Sequence, residues 1–352
     1  MTHDGNSVLP APPATASPPS GRWAGRARAA GLRLGGLLVA ILIVVMIFTF
    51  ASKPNTFLTI INALGMLRYM SSIAIVALGL TLVIVVGEID LSFGYMYGLA
   101  STVIAVAWIV WGWPVLAAIA LAVVVAILVG CFNSILVTVL KIPSFIVTLG
   151  SGQLIFGFTL LVSNTATFNP AYPPAGRVVP PAELGFFFGL ADQNLPFNFP
   201  MQGLWMIGVA VVIGFLLSRS LFGFRLKAIG GNPVAAELAR LPVRKYKFAA
   251  FILCSLLATL AATLDFAFIG STQPNAGLSL LFPVFAAVII GGASLSGGRG
   301  TVIGTLSGAL LLAIISNGLA LLAAGPYLSQ FVSGGVTIAA VVLDRFTQTF
   351  RR

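Results

Sequence analysis

Residues 116–140 read LAAIALAVVVAILVGCFNSILVTVL, and none of them carries a charge. A helix rises 1.5 Å per residue, so about 20 apolar residues cross roughly 30 Å of hydrocarbon. This stretch is long enough. Blocks of the same kind lie at 34–51, 71–86, 93–110, 142–162, 201–218, 248–269, 279–292, 301–322 and 330–343, each almost free of charge. The block at 279–292 is short for a full crossing. Apolar residues make up 59% of the chain and charged ones 8%, against roughly 25% charged in a soluble domain. Folded in water, such a chain has too little polar surface to cover itself. The fold expected is an all-α polytopic membrane protein, with about ten transmembrane helices in one bundle.

The net charge of +11 is explained by position rather than by nucleic acid. With the N-terminus in the cytoplasm and the blocks alternating, 16 of the 19 basic residues fall inside. They are Arg22, Arg26, Arg28, Arg33, Lys141, the group between Arg219 and Lys247, Arg299, Arg345, Arg351 and Arg352. Lys53, Arg68 and Arg177 fall elsewhere. This is the positive-inside asymmetry of inner-membrane proteins. It leaves both termini cytoplasmic. Residues 1–30, rich in Pro, Ala and Ser, are expected to be a disordered basic tail. A transmembrane domain is expected over 31–345, then a short cytoplasmic tail over 346–352.

Two loops are large. The external loop 163–200 holds seven prolines and an aromatic patch around Phe186–Phe188, and is expected to fold against the bundle or a partner. The loop 219–247 is basic and cytoplasmic. Within it, Asn232 before Pro233 predicts an N-cap with proline at the first helical position, and a helix of two turns along 234–240. Four blocks precede these loops from about 71 to 162, and four follow from about 248 to 343, the arrangement of repeated halves.

Catalytic groupings are scarce. The one histidine, His3, lies in the tail, no His and Cys cluster suits a metal, and no Gly-Lys pair exists for a P-loop. The chain is therefore not expected to be an enzyme or to carry a cofactor. Ionisable residues at membrane depth are costly and mark sites. Glu88 and Asp90 stand either at an interfacial turn or at a helix break facing a pathway. Asp265 stands either in solvent at the outer interface or along the pathway, and Gln273 is a further pathway candidate. Arg68 is placed to snorkel to the outer headgroups. Gly94 with Gly98, and Gly300 with Gly304 and Gly308, form GxxxG steps for close helix packing. The glycine-rich run 291–300 is a weak phosphate-cradle signal and a better flexible turn. Trp108, Trp111 and Trp113 read as interfacial belt residues. Cys131 and Cys254 read as small core residues.

Several segments together resemble one family, the permease subunits of ribose-type sugar ABC importers. They are GEIDLSFG at 87–94, PSFIVTLG at 143–150, AIGGN at 228–232 with Ala235 and Ala236, Gln273-Pro274 with Gly277, GGASLSGGRG at 291–300, and Asn317-Gly318. The resemblance covers about residues 60–345 in the family's order. It implies a bacterial inner-membrane subunit that pairs with a second permease copy and two cytoplasmic ABC ATPase subunits, with ATP and Mg bound by the ATPase. A periplasmic sugar-binding protein delivers the solute. It also implies that Asn232, Ala235, Ala236, Glu237, Arg240 and Val243 belong to a coupling helix that docks on the ATPase. This chain departs from the family in three places. Arg240 stands where a small Gly is usual, Leu281 and Pro283 where an acid is common, and Phe268 where an arginine is common. These losses imply a less polar pathway around 265–285, with Asp265 as a local substitute.

Overall fold

The computed structural model describes residues 21–192, 194–323 and 325–349. The part of the expected tail up to residue 20, and Arg351 and Arg352, lie outside the described residues. The elements run in order as α1 (Gly21–Ala51), α2 (Ile60–Val85), α3 (Phe93–Ala105, continued by a π turn at Val106–Val110), α4 (Val115–Thr138) and α5 (Ser144–Ser163). The loop 163–200 holds α6 (Pro181–Gly189) and a hairpin of two-residue strands, β1 (Asn194–Leu195) and β2 (Phe199–Pro200). Then come α7 (Met201–Ser218), α8 (Leu221–Gly231), α9 (Pro233–Leu238), α10 (Val243–Ile269), α11 (Leu281–Ile290), α12 (Val302–Leu321) and α13 (Gly325–Thr349).

Each of the ten apolar blocks lies on a helix, but among the described residues only seven helices are long and apolar enough to cross a membrane. They are α2, α3 with its π turn, α4, α5, α7, α10 and α12. The 279–292 block is a 3-10 turn followed by α11, which has ten residues and is too short to cross. Helix α1 begins at Gly21, inside the stretch expected to lack structure. Helix α2 begins eleven residues before its apolar block, so Arg68 lies within it rather than ahead of it.

Burial sorts the helices. In α2 and α3 89% of the apolar window is buried, against 28% in α4 and α7 and 33% in α5. The first two form the centre. The others present Leu116, Leu128, Phe145, Leu154, Leu161, Val211 and Phe215 outward. A face this apolar suits lipid, where only hydrogen-bonded helices are stable. Between apolar helices in lipid, close packing replaces the hydrophobic drive. Small residues provide it: a Cβ on Gly130 would lie 2.6 Å from the Ile252 Cα of α10. A Cβ on Gly79 would lie 3.0 Å from the Cys254 Cα. Polar pairs fix the register of α2 on α12. The Thr81 and Thr305 hydroxyls are 2.8 Å apart, and the Asn62 and Asn317 amides bond reciprocally at 3.0 and 2.9 Å.

Of the two alternatives for the loop 163–200, bundle or partner, the structure shows it packed on the bundle. Trp108 is only 2% exposed, and its indole N–H donates to Glu183 of α6 at 2.6 Å. Phe187 lies between the Trp108 and Phe266 rings, 4.9 Å from each. Trp108 is thus a core anchor and not a belt residue. Trp111 and Trp113, about half exposed, keep the belt position.

Candidate functional site

The basic loop 219–247 contains a helix that the sequence did not announce. Ser220 caps α8 by accepting from the Gly223 N–H at 3.3 Å, and α8 runs to Gly230–Gly231. Asn232 then caps α9, its Oδ1 accepting from the Ala235 N–H at 3.0 Å, with Pro233 at the first helical position. That cap is the one expected. Ala236 is buried against the chain's own core, whereas Val234 and Leu238, one turn apart, are 66% and 82% exposed. The outward face of α9 therefore consists of Val234 and Leu238 with Ala235 and Glu237. Of the two alanines, Ala236 serves the inner side. Val243 is the buried first residue of α10.

Arg240 follows α9 with φ 57°, in the left-handed region that favours glycine. The family's usual Gly fits this turn without strain; arginine carries the strain and keeps the conformation. Arg240→Gly is expected to raise stability by about 0.5–1 kcal/mol, read as a higher unfolding midpoint in detergent.

Immediately before α9, three glycine segments meet backbone to backbone. A Cβ on Gly230 would fall 1.9 Å from the Val85 carbonyl oxygen, at the end of α2. One on Gly297 would fall 2.4 Å from the Gly230 oxygen and 2.9 Å from the Gly87 Cα, and one on Gly298 2.8 Å from the Gly231 Cα. The Gly298 N–H donates to Val85 O at 2.9 Å. Gly87, Gly297 and Gly298 also hold φ values of 91°, 78° and 74°. The segments GEIDLSFG, AIGGN and GGASLSGGRG, more than fifty residues apart in the chain, thus share one contact. Neighbouring backbone fills the glycine run, so it is a packed turn and not a phosphate cradle. Gly300 lies before the Thr301 cap of α12, and not on the helix face of Gly304 and Gly308; its Cβ would meet Val85 at 2.6 Å. Gly304 and Gly308 pack on Gly291 and Ala287 of the α11 region, where a Cβ would lie 1.9 and 2.1 Å from the carbonyl oxygens.

Residues 86–92 break the path from α2 to α3, and the break is gripped on several sides. Glu88 Oε1 is 2.5 Å from Lys247 Nζ, with side chains 12% and 20% exposed. The Ile89 N–H donates to Ser144 Oγ at 3.1 Å. Asp90 is fully buried; its Oδ1 accepts from the Ser92 N–H at 2.8 Å and the Ser92 hydroxyl at 2.6 Å. The Asn133 amide of α4 donates to the same hydroxyl at 2.8 Å. The Cys254 thiol stands beside Asp90. The helix break is thus present as one of the two readings had it; within it Asp90 is buried against Ser92, while Glu88 pairs with Lys247 at the edge of a cavity. A cavity of about 650 Å³ opens beside Glu88, between Lys141, Ser144, Glu237, Arg244 and Lys247. On α8, burial lowers the Lys227 ammonium below the ordinary lysine value, and it donates to Leu217 O at 3.0 Å.

Asp265 forms a second centre, deeper in the bundle. Its Oδ1 accepts from Ser72 of α2 at 2.5 Å and Gln202 of α7 at 3.0 Å, and its Oδ2 accepts from the Tyr97 hydroxyl of α3. One carboxylate thus ties four helices, and none of its donors comes from 268–283. Arg68 places its guanidinium 4.2 Å above the Phe268 ring, so a cation from α2 reaches the position of Phe268. Arg68 is turned to the ring rather than to headgroups. Sequence reading missed Ser72, Tyr97, Gln202 and Lys247 as partners; a buried Gln at the start of an apolar helix was the available signal.

Gln273 is exposed, and its carbonyl accepts from the Ala276 N–H at 3.0 Å in a turn. That turn packs on α3: Cβ atoms on Gly98 and Gly277 would lie 2.4 and 2.0 Å from the Pro274 and Gly94 oxygens. Gly94 likewise abuts Leu281. These glycines serve packing.

Comparison with known proteins places this arrangement. A family model described as the branched-chain amino acid transport system / permease component matches residues 62–341. The chain is 34% identical over 314 residues to the ribose import permease protein RbsC of Escherichia coli K12, covering 88% of this chain and 93% of that one. It is 34% identical over 315 residues to RbsC of Bacillus subtilis 168, covering 88% and 91%. It is 29% identical over 382 aligned positions to the xylose transport system permease protein XylH of Escherichia coli K12, covering 95% and 96%. No solved structure matches. The relatives are transport subunits and not enzymes. From the span of the match and the seven apolar helices, the chain belongs to this family of transport permease components, multi-pass proteins of the bacterial inner membrane.

Proposed function

We propose that this chain is the membrane-spanning subunit of an ABC importer that moves a monosaccharide inward. It works as a pair of identical copies on two cytoplasmic ATPase subunits that bind ATP and Mg, and an extracytoplasmic sugar-binding protein delivers the solute. About ten spans over 31–345, cytoplasmic termini, the inner loop 219–247 and the outer loop 163–200 complete the topology. The name of the family model points to amino acids, but the near full-length relatives named above carry ribose or xylose permease names, and this favours a sugar.

One observation carries the reading: α9 offers an exposed apolar face, Val234 and Leu238, on a short capped helix that directly follows the glycine junction at the end of α8. An apolar face held rigidly beside basic residues suits a protein groove better than water. Docking on an ATPase gives that face its cover. The pair Val234→Asp and Leu238→Asp removes two buried side chains, each worth about 1.5–3 kcal/mol, from such a contact. Co-purification with the ATPase is expected to fall by more than about tenfold, with the permease itself still folded. Undiminished association would sink the docking assignment. Sugar-loaded binding protein should stimulate ATP hydrolysis by the wild-type complex in liposomes, and an amino acid should not.

A further inference from the structure

We propose that the Glu88–Lys247 ion pair is the clamp by which α9 moves the break between α2 and α3. This rests on the reading that α9 meets an ATPase.

The connection from α9 to Lys247 is stiff. Only residues 239–242 separate α9 from α10, and that turn is closed by backbone bonds. Ala239 N–H donates to Ala235 O at 3.0 Å, Arg240 N–H to Glu237 O at 2.9 Å, Leu241 N–H to Ala236 O at 3.0 Å, and Lys245 N–H to Pro242 O at 3.0 Å. A displacement of α9 therefore carries the first turns of α10 with it. Lys247 sits on the second of those turns and reaches Glu88 at 2.5 Å. Glu88 belongs to the one non-helical stretch between α2 and α3, the two helices at the centre of the bundle. Gly87, at φ 91°, starts that stretch.

The pair's surroundings allow it to act and to release. Both side chains are mostly shielded from water, so salt screens them less than a surface pair. The break is also held by α5, through Ser144 to the Ile89 N–H next to Glu88. A pull from Lys247 thus works against a fixed point. The cavity beside the pair gives it room to shift. Its other charged walls are Lys141, Arg244 and Glu237. Each partner has an alternative counter-charge there, so the clamp opens without stranding a buried charge. Two discrete pairings of one cluster are what a switching element needs.

The test uses the full complex in proteoliposomes, with sugar transported per ATP hydrolysed as the readout. Glu88→Gln and Lys247→Gln are each expected to lower that ratio by at least about fivefold, the low end of typical coupling effects. The double variant is expected to be no worse than either single, because both remove one interaction. The exchange of Glu88→Lys with Lys247→Glu is expected to restore most of the ratio. Unchanged ratios in the single variants, or losses that multiply in the double, overturn the proposal. Where a single variant fails to assemble, the exchanged pair decides: assembly regained without the ratio overturns it, and both regained supports it. If the wild-type permease does not bind an ATPase, the functional reading fails instead.

Discussion

Gly230→Ala is expected to abolish transport, while Gly231→Ala next to it leaves transport intact. The two residues end the same helix. A methyl group on Gly230 would sit 1.9 Å from the Val85 carbonyl oxygen and close to the Gly298 nitrogen, at 2.7 Å. Ordinary contact needs well over 3 Å. The obstacle is backbone on both sides, so no side chain can swing aside. Either α2 or the 291–300 turn must retreat, and the Gly298–Val85 hydrogen bond is lost with it. Overpacking in a tight site costs about 1–3 kcal/mol when side chains yield; here the cost is expected at or above the top of that range. Gly231 has no atom within 4 Å of its added Cβ and no positive φ. There alanine costs nothing sterically and stiffens the unfolded chain. The check is paired: uptake in cells and unfolding midpoints in detergent for both variants. Equal behaviour of the two would refute the junction's tightness.

Asp265→Leu is the second large effect. It strands the Ser72 hydroxyl, the Tyr97 hydroxyl and the Gln202 amide, donors from three helices. Each buried donor left without an acceptor costs about 1–3 kcal/mol. Hydroxyls can turn toward other acceptors, so the sum is expected near 3–5 kcal/mol. Asp265→Asn keeps one acceptor oxygen, and its amide can donate to either hydroxyl. It is expected to lose well under half as much. The measurement is thermal unfolding of the purified permease, beside transport. A carboxylate that touches solute and ties nothing together gives the opposite result: impaired transport at unchanged stability in both variants.

How legible was this in the sequence? Charge-free stretches of helical length force burial in lipid whatever their partners, so the membrane fold could be read directly. The Asn232–Pro233 cap was equally plain, because capping is a contact within four residues. Pairings across the chain were not. Glu88 and Lys247 are 159 residues apart, and Ser72 and Asp265 are 193 apart. Neither spacing carries a periodic signal. Each glycine motif could be seen alone, but their meeting could not, since a glycine does not announce whose backbone it admits. Trp108 misled for a related reason. An indole near a helix end suits the membrane interface, and only Glu183 from a distant loop draws it inward. Ala236 was counted with Ala235 because both are small; burial alone separates them.

The loop 163–200 is wired to the bundle interior by rings. Phe187 of α6 is wedged between Trp108, at the end of α3, and Phe266 on α10, one residue beyond Asp265. Nothing in that stack is a hinge. A load resting on α6 therefore bears on α3 and α10 at once, through packed rings rather than along slack chain.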